Sequence, residues 1–230
     1  MRWRTAFVTA LLGGAAAGVV VDLWPLPERW NPWAPLRLAD APNLLTRFKL
    51  GRLDTDPIAC RAALEQTPFD VQALADRRFA PGCEFNNAVR VRGMTVAVSA
   101  PFTLSCRAAV SLGLWERHVL LPAALRHFGE PAVRLEHWGS YACRDIGGRE
   151  PGTRSRHASA DALDIAAIGL ASGRRIGVAG EWAGDGPDGR FLRELRDGAC
   201  PWFDAVLSPD YNAAHADHLH LDRGPHRLCR

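Results

Sequence analysis

Four residues in the second half of the chain have metal-binding side chains at spacings that can bring them together. His157 is followed seven positions later by Asp164. Nearer the C-terminus, His218 and His220 stand two positions apart, so the alternation of a strand would place both on one face. A catalytic zinc site takes three protein ligands of these types and leaves one position open for water. The four residues therefore predict a zinc site that can activate water near neutral pH.

The same residues also fit an interpretation without a metal. Most histidine clusters belong to a surface or a core, and Asp161 and Asp164 also suit the start of a strand or a partner for arginine side chains. Zinc is not the only candidate ion, because imidazole and carboxylate ligands accept other divalent metals. The sequence alone leaves these alternatives open.

Helices and strands are intermixed in the part of the chain that must position these residues. The patterns predict helices over 54–66, 105–128 and 189–198, with Asp54 or Asp56 as the first cap and Pro122 kinking or splitting the second helix. Strands are predicted over 89–91, 95–98, 132–138, 162–168, 175–178, 203–207 and 219–222. The first two strands are expected to form a hairpin, as are 162–168 and 175–178, and 144–156 is expected to be a loop. An α+β fold follows, with helices flanking an antiparallel sheet.

The six cysteines indicate disulfides rather than a metal or redox motif. None precedes residue 60 and none forms a CxxC pair, which excludes a cysteine zinc ribbon and a thioredoxin-like site. Their even number and wide spacing fit three disulfides formed in an oxidising compartment, but the sequence does not assign one of the 15 possible pairings. At least two disulfides are expected, Cys200–Cys229 foremost, because this pair would fix the C-terminal tail across residues 215–220. Six free thiols in a cytosolic enzyme are the alternative.

The N-terminus has the layout of an export signal. Arg2 and Arg4 precede residues 6–21, which carry no charge. Residues 1–24 are therefore predicted to be a signal anchor or a signal peptide, and an uncleaved anchor is favoured because cleavage near 15–17 would leave an apolar stub. A buried core helix is the other alternative. Positive-inside orientation places the rest of the chain in the periplasm, anchored to the inner membrane, or secreted if cleavage occurs.

The remaining chain is predicted to be a linker followed by one domain. Residues 25–42 contain five prolines and predict a Pro/Trp-rich linker on a surface, with Trp24, Trp30 and Trp33 suited to a membrane interface. Residues 43–230 are predicted to form the folded domain. The net charge is only +3 and the arginines are scattered beside acidic residues, which argues against a nucleic-acid partner.

The spacing His157-x6-Asp164, followed by His218-x-His220, resembles that of a metallopeptidase superfamily, the D-Ala-D-Ala carboxypeptidases and murein endopeptidases. That superfamily shares its zinc-site fold with the hedgehog signalling domain, and the resemblance implies the same fold here. It also implies His157, Asp164 and His220 as the Zn²⁺ ligands. Ala160 stands where the superfamily has glycine.

The same resemblance implies roles for residues around the ligands. It implies that His218, His215 or Asp217 handles the proton during hydrolysis. It implies that Arg144, which follows a Ser-Tyr pair, stabilises the developing oxyanion. An arginine that bonds loop carbonyls is the alternative for Arg144.

A closer resemblance is to the bacterial extensin-like family, and it extends over nearly the whole chain from Pro25. It rests on residues 32–36, 87–89, 140–144, 155–158, 162–165 and 215–222. The resemblance implies an extracytoplasmic, zinc-dependent hydrolase of peptide or amide bonds in peptidoglycan, such as a DD-carboxypeptidase or an endopeptidase. The alternative is a non-catalytic, metal-stabilised cell-wall-binding module tethered to the membrane, which a fourth protein ligand on the metal would favour.

Overall fold

The structure, a computed structural model, describes residues 26–148 and 151–230. The predicted signal anchor or signal peptide, residues 1–24, lies outside the described residues. Within the described part of the chain, no helix combines the length and the apolar character needed to cross a bilayer.

The described residues form six α-helices and several short 3₁₀ helices. The α-helices are α1 (Thr46–Arg52), α2 (Pro57–Leu64), α3 (Cys106–Trp115), α4 (Leu121–Phe128), α5 (Val178–Glu181) and α6 (Pro187–Ala199). The 3₁₀ helices are Glu28–Trp30, Ile146–Gly148, Arg156–Ser159 and Ala213–His215. A π-helical turn, Glu116–Leu120, joins α3 to α4.

The strands form one large sheet and two small ones. They are β1 (Asp70–Ala73), β2 (Arg77–Ala80), β3 (Cys83–Phe85), β4 (Ala88–Gly93), β5 (Ala97–Val98), β6 (Phe102–Ser105), β7 (Ala132–Gly139), β8 (Ala162–Leu170), β9 (Arg175–Gly177), β10 (Ala205–Leu207), β11 (Leu219–Asp222) and β12 (Leu228–Cys229). The large sheet has the order β12-β10-β11-β8-β7-β5, with β9 also paired to β8, and the small sheets are β1-β4-β6 and β2-β3. In the large sheet β10 with β12 and β5 with β7 are parallel, and the other pairs are antiparallel. The predicted α+β class is confirmed, with a mixed rather than purely antiparallel sheet.

The longest helical run, residues 106–128, supplies much of the core. Trp115 is fully buried, and its indole nitrogen donates to the carbonyl of Leu195 in α6 at 3.0 Å. The run was predicted to kink or split at Pro122, and it changes to π geometry over Glu116–Leu120, one turn before that residue. Proline lacks the N–H that a regular helix requires, so the hydrogen-bonding pattern must change in the preceding turn.

One predicted hairpin is wrong. The strands predicted over 89–91 and 95–98 exist as β4 and β5, but they do not pair with each other. β4 pairs with β1 and β6, whereas β5 joins β7 in the large sheet. The hairpin of β8 with β9 is confirmed. The helix predicted to start at Asp54 or Asp56 is also confirmed, and the carboxylate of Asp56 caps it by accepting a hydrogen bond from Ala59 N at 2.9 Å. Sequence patterning missed α1, α5, β1, β2, β3, β6 and β12.

All six cysteines are paired, so the prediction of at least two disulfides is confirmed. The pairs are Cys60–Cys106, Cys83–Cys143 and Cys200–Cys229. The first links α2 to α3, and the second holds the β2–β3 hairpin against the loop after β7. The third ties the C-terminal strand to the end of α6, which is the pair expected foremost.

Residues 26–42, expected to lie within a linker, pack along the domain. Leu36 and Leu38 are buried and belong to the same hydrophobic core as the helices and the sheet. The carbonyl of Leu38 accepts a hydrogen bond from His118 Nε2 at 2.8 Å, and the carbonyl of Leu36 accepts one from Gln66 at 3.0 Å. These contacts fix the segment to the domain.

Candidate metal centre

The pairing of β8 with β11 brings two of the predicted ligands together. Asp164 stands directly opposite His220 in the antiparallel register. Leu163 and Ile165, on either side of Asp164, are buried in the core, as are the leucines that flank His220. Because side chains alternate along a strand, Asp164 and His220 share the face of the sheet opposite that part of the core.

His157 reaches this face from the turn that precedes β8. The 3₁₀ helix Arg156–Ser159 is capped by Ser155, whose hydroxyl accepts a hydrogen bond from His157 N at 3.3 Å. Ala160 ends the turn in the left-handed conformation, with φ of 54°. That conformation costs a residue with a Cβ about 1–2 kcal/mol and favours glycine, which is the residue that the resemblance implies there. The turn therefore keeps its shape with alanine.

The structure brings His157, Asp164 and His220 into one cluster, named the metal cluster below. His157 Nε2 lies 3.1 Å from Asp164 Oδ2 and 3.2 Å from His220 Nδ1, and His220 Nδ1 lies 2.8 Å from Asp164 Oδ1. Ligand atoms around a tetrahedral zinc ion, with bonds of about 2.0–2.1 Å, are about 3.3 Å apart. The donor set thus fits such an ion with little movement. In the described ranges no other His, Cys, Asp or Glu side chain joins this set.

Burial and hydrogen bonding give the cluster its electrostatics in the absence of a metal. Burial disfavours the charge on Asp164, but hydrogen bonds with His157 and His220 outweigh it and hold the pKa of the carboxyl well below its usual range. Burial likewise disfavours a charged His220, but its two aspartate partners, Asp164 and Asp222, raise the pKa of this imidazole to about 9. A metal ion that binds here must displace the proton from His220 Nδ1.

Asp222 is a candidate site residue that sequence reasoning did not assign. Its Oδ2 lies 3.1 Å from His220 Nε2, the ring nitrogen that faces away from the metal cluster, and the carboxylate is buried. A carboxylate on the outer nitrogen of a ligand histidine fixes the ring orientation and makes the ligand more basic. The period-two spacing of His220 and Asp222 was the signal that could have identified it.

His218 lies beside the metal cluster. It was expected to lie on the same strand as His220, but it immediately precedes β11. Its Nε2 is 3.6 Å from Asp164 Oδ1 and its Nδ1 is 2.8 Å from Asp217 Oδ1. One ring nitrogen therefore faces the cluster while the other is held by a carboxylate. This is the arrangement of a histidine base and its orienting group.

His215 and Arg144 lie near the same side of the cluster. The ring centroid of His215 is 5.2 Å from that of His218 and 5.8 Å from that of His220. Burial lowers the pKa of His215 to about 4, and electrostatic interactions with His220, His218 and Arg144 contribute to the decrease. His215 is thus neutral at neutral pH, and the exposed Arg144 is close enough to act on it electrostatically.

Gly139 of β7 lies across the sheet from Asp164 of the metal cluster. It has φ of 128°, a conformation that favours glycine. A Cβ built on Gly139 would meet nothing within 4 Å, so there is open space beside the Asp164 position.

A second buried carboxylate, Asp161, holds the turn that carries His157. Arg107 donates to both oxygens of Asp161, from Nε at 2.9 Å and from Nη2 at 2.8 Å. Ser105 and Ser159 donate to the same carboxylate at 2.5 and 2.8 Å. The interpretation of Asp161 as an arginine partner is confirmed, and Asp161 with these three donors is named the Asp161 clamp.

The C-terminal three quarters of the chain match a known protein family. Residues 58–230 match the family model described as extensin-like protein C-terminus. No curated protein and no solved structure matches the chain.

Proposed function

The chain belongs to the extensin-like family, and on that premise we propose that it is a zinc-dependent hydrolase of peptide or amide bonds in cell-wall peptidoglycan. The spacing of the metal cluster and its resemblance to D-Ala-D-Ala carboxypeptidases and murein endopeptidases support this reaction and the corresponding zinc-site fold. The single observation that carries the proposal is the donor set of the cluster. Two histidines and one aspartate converge, and no fourth protein ligand joins them among the described residues.

Three protein ligands with an open side are typical of catalytic zinc, whereas structural zinc is closed by a fourth side chain. His157, Asp164 and His220 would hold the ion, and Asp222 would orient His220. A bound Zn²⁺ ion would polarise the scissile carbonyl and activate water for attack on it.

The neighbouring residues supply the proton transfer. His218 presents Nε2 toward the metal cluster, where it can take the proton of the attacking water and return it to the leaving amine. Asp217 holds Nδ1 of His218 and stabilises the imidazolium that forms. Asp217 is therefore a positioning residue rather than a base in this mechanism.

Two further residues could bind the substrate and stabilise the negative charge that develops on its carbonyl oxygen. Neutral His215 can hydrogen-bond substrate, and Arg144 carries a permanent positive charge in the exposed loop nearby. A guanidinium directed at the developing oxyanion stabilises the transition state electrostatically. Arg144 is the residue proposed for that role.

An extracytoplasmic location, on the periplasmic side of the inner membrane, is part of the proposal because peptidoglycan lies there. Residues 1–24 have the composition of an anchor or signal, and the three disulfides are typical of proteins in oxidising compartments. The proposed partners are peptidoglycan and the membrane, which the chain would meet through its N-terminal anchor.

Purified protein tested for both metal content and hydrolysis would decide the proposal. We expect about one zinc per chain by elemental analysis, and release of muropeptides from purified sacculi. The variant His218→Ala should keep its zinc and lose about 10²–10⁴-fold in rate, because a general base contributes that much. His226→Ala, an exposed histidine in the C-terminal tail, is the matched control and should retain full activity.

The outcomes separate metal binding from catalysis. Zinc without muropeptide release would overturn the hydrolase and leave the wall-binding module. Absence of zinc and of every other divalent metal would overturn both. An unchanged rate in His218→Ala would assign the proton transfer to another group.

A further inference from the structure

Exposed apolar side chains are concentrated in one short stretch of the chain. Twelve large hydrophobic side chains are exposed in the described ranges, and five of these lie between residues 26 and 48. The five, named the N-terminal face, are Leu26, Trp30, Trp33, Leu44 and Phe48. Trp33 is 71% exposed and Leu44 93%. Soluble proteins rarely leave such a group uncovered without a binding function.

Two contacts link parts of the N-terminal face. The rings of Trp33 and Phe48 meet edge to face, with centroids 6.0 Å apart. Leu44 lies in the turn just before α1, and Phe48 lies in the first turn of that helix. Asn43 Nδ2 donates to the carbonyl of Arg29 at 2.9 Å, which fixes the beginning of α1 to the segment that contains Trp30.

Arginines border the aromatic rings of this face. The guanidinium of Arg29 lies 6.0 Å from the ring centre of Trp30, and that of Arg52 lies 5.4 Å from the ring centre of Trp33. Tryptophan beside arginine is the composition found where proteins meet the headgroup region of a bilayer. The indole occupies the boundary between apolar and polar layers, and guanidinium groups bind phosphate.

The chain that precedes the N-terminal face identifies what covers it. Residues 6–21 are uncharged, and only residues 22–25 separate them from Leu26. Even a fully extended chain spans about 18 Å from residue 21 to residue 26. Leu36 and Leu38 are buried in the core, so residues 26–42 belong to the domain and cannot act as a longer spacer.

We propose that the N-terminal face lies on the surface of the phospholipid bilayer in which residues 6–21 are inserted, so that the domain is held flat against the membrane. This inference rests on the membrane anchor that accompanies the proposed function. It does not depend on zinc or on hydrolysis.

Quenching of tryptophan fluorescence by brominated lipids tests the inference on the full chain. The protein is reconstituted in phosphatidylcholine and phosphatidylglycerol vesicles with bromine near the headgroup end of the acyl chains. Trp3, Trp24, Trp30 and Trp33 should be quenched, so Trp30→Phe/Trp33→Phe should lose about half of the quenched emission. Trp138→Phe is the matched control, because Trp138 is also exposed (63%) but lies in β7 beside the metal cluster.

Flotation of the vesicles and circular dichroism of each variant complete the test. Loss of quenched emission in the double variant alone, with unchanged flotation and dichroism, supports the inference. Flotation without that loss overturns it, including the case in which crosslinking shows a second copy on the N-terminal face. Failure of the wild-type chain to float overturns the anchor and this inference together, whereas muropeptide release would still stand as a separate result.

Discussion

Asp161 and Asp164 lie three residues apart at the start of β8, and their carboxylates are mostly buried, but their surroundings differ. Asp161 is bound by Arg107 and two serine hydroxyls in the Asp161 clamp. Asp164 is bound by two histidines in the metal cluster. Guanidinium cannot give up its proton at ordinary pH and cannot bind a metal, whereas imidazole can do both.

The comparison shows that burial of a carboxylate does not by itself mark a functional site. The partners decide, because they determine whether the charge is fixed or exchangeable for a metal ion. The Asp161 clamp holds the turn that begins at Ser155, and the metal cluster uses the His157 that this turn presents. One carboxylate therefore supports the geometry in which the other can act.

Removing the carboxylate of the clamp should have the largest effect. We expect Asp161→Ala to lower the free energy of unfolding by about 3 kcal/mol, because the partly buried Arg107 would keep only the more distant Asp54 as a counter-charge and two serine hydroxyls would lose their acceptor. Urea denaturation of the metal-free protein measures this change. Asp70→Ala is the control, since Asp70 makes a similar two-point contact with Arg92 on the exposed surface and should change stability little. Equal losses in the two variants would contradict a special role for the clamp.

The corresponding change in the metal cluster should act on metal affinity instead. Asp164→Asn should weaken zinc binding by about 10²–10³-fold. This factor corresponds to about one quarter of the binding free energy of a four-ligand zinc site, because the variant loses one ligand. The metal-free protein should lose less stability than Asp161→Ala does, because the amide still hydrogen-bonds the histidines. Competition with a chelating dye measures the affinity. Zinc affinity within a few-fold of wild type would exclude Asp164 as a ligand.

A smaller effect on metal affinity is expected from the residue behind His220. Asp222→Asn should weaken zinc binding by about 10–100-fold, because it no longer fixes the imidazole or raises its basicity. Asp217→Asn is the matched control, since that carboxylate bonds His218 and not a ligand histidine. Equal affinities of the two variants would show that Asp222 does not orient the ligand.

The smallest expected change is the loss of one hydroxyl from the clamp. Ser159→Ala removes a donor to Asp161 Oδ2 but leaves Arg107 and Ser105 in place. The unfolding free energy should decrease by about 1 kcal/mol, and zinc affinity should stay within about threefold of wild type. A tenfold weaker zinc affinity would show that the two carboxylates are more tightly coupled than their separate partners suggest.

Much of the fold was predictable where local patterns were strong. The helical run before Pro122 and the hairpin of β8 with β9 follow from periodicity and turn residues. The spacing of the cysteines did not determine their pairing, although Cys200–Cys229 was the pair expected foremost. Pairings between distant segments were not predictable. The two strands around Arg92-Gly93 looked like a hairpin, but β5 binds β7 instead, because the partner of a strand is set by the packing of the whole sheet.

The sequence by itself determined the types and spacing of four candidate ligands, His157, Asp164, His218 and His220. The family resemblance, not the spacing, implied three of them as the ligand set. Only the tertiary structure decided which carboxylate meets histidines and which meets arginine. Arg107 lies 54 positions from Asp161 in the sequence and His220 lies 56 from Asp164, so both contacts depend on how helix and sheet pack. The same packing buries Leu36 and Leu38 and thereby turns an expected linker into part of the domain.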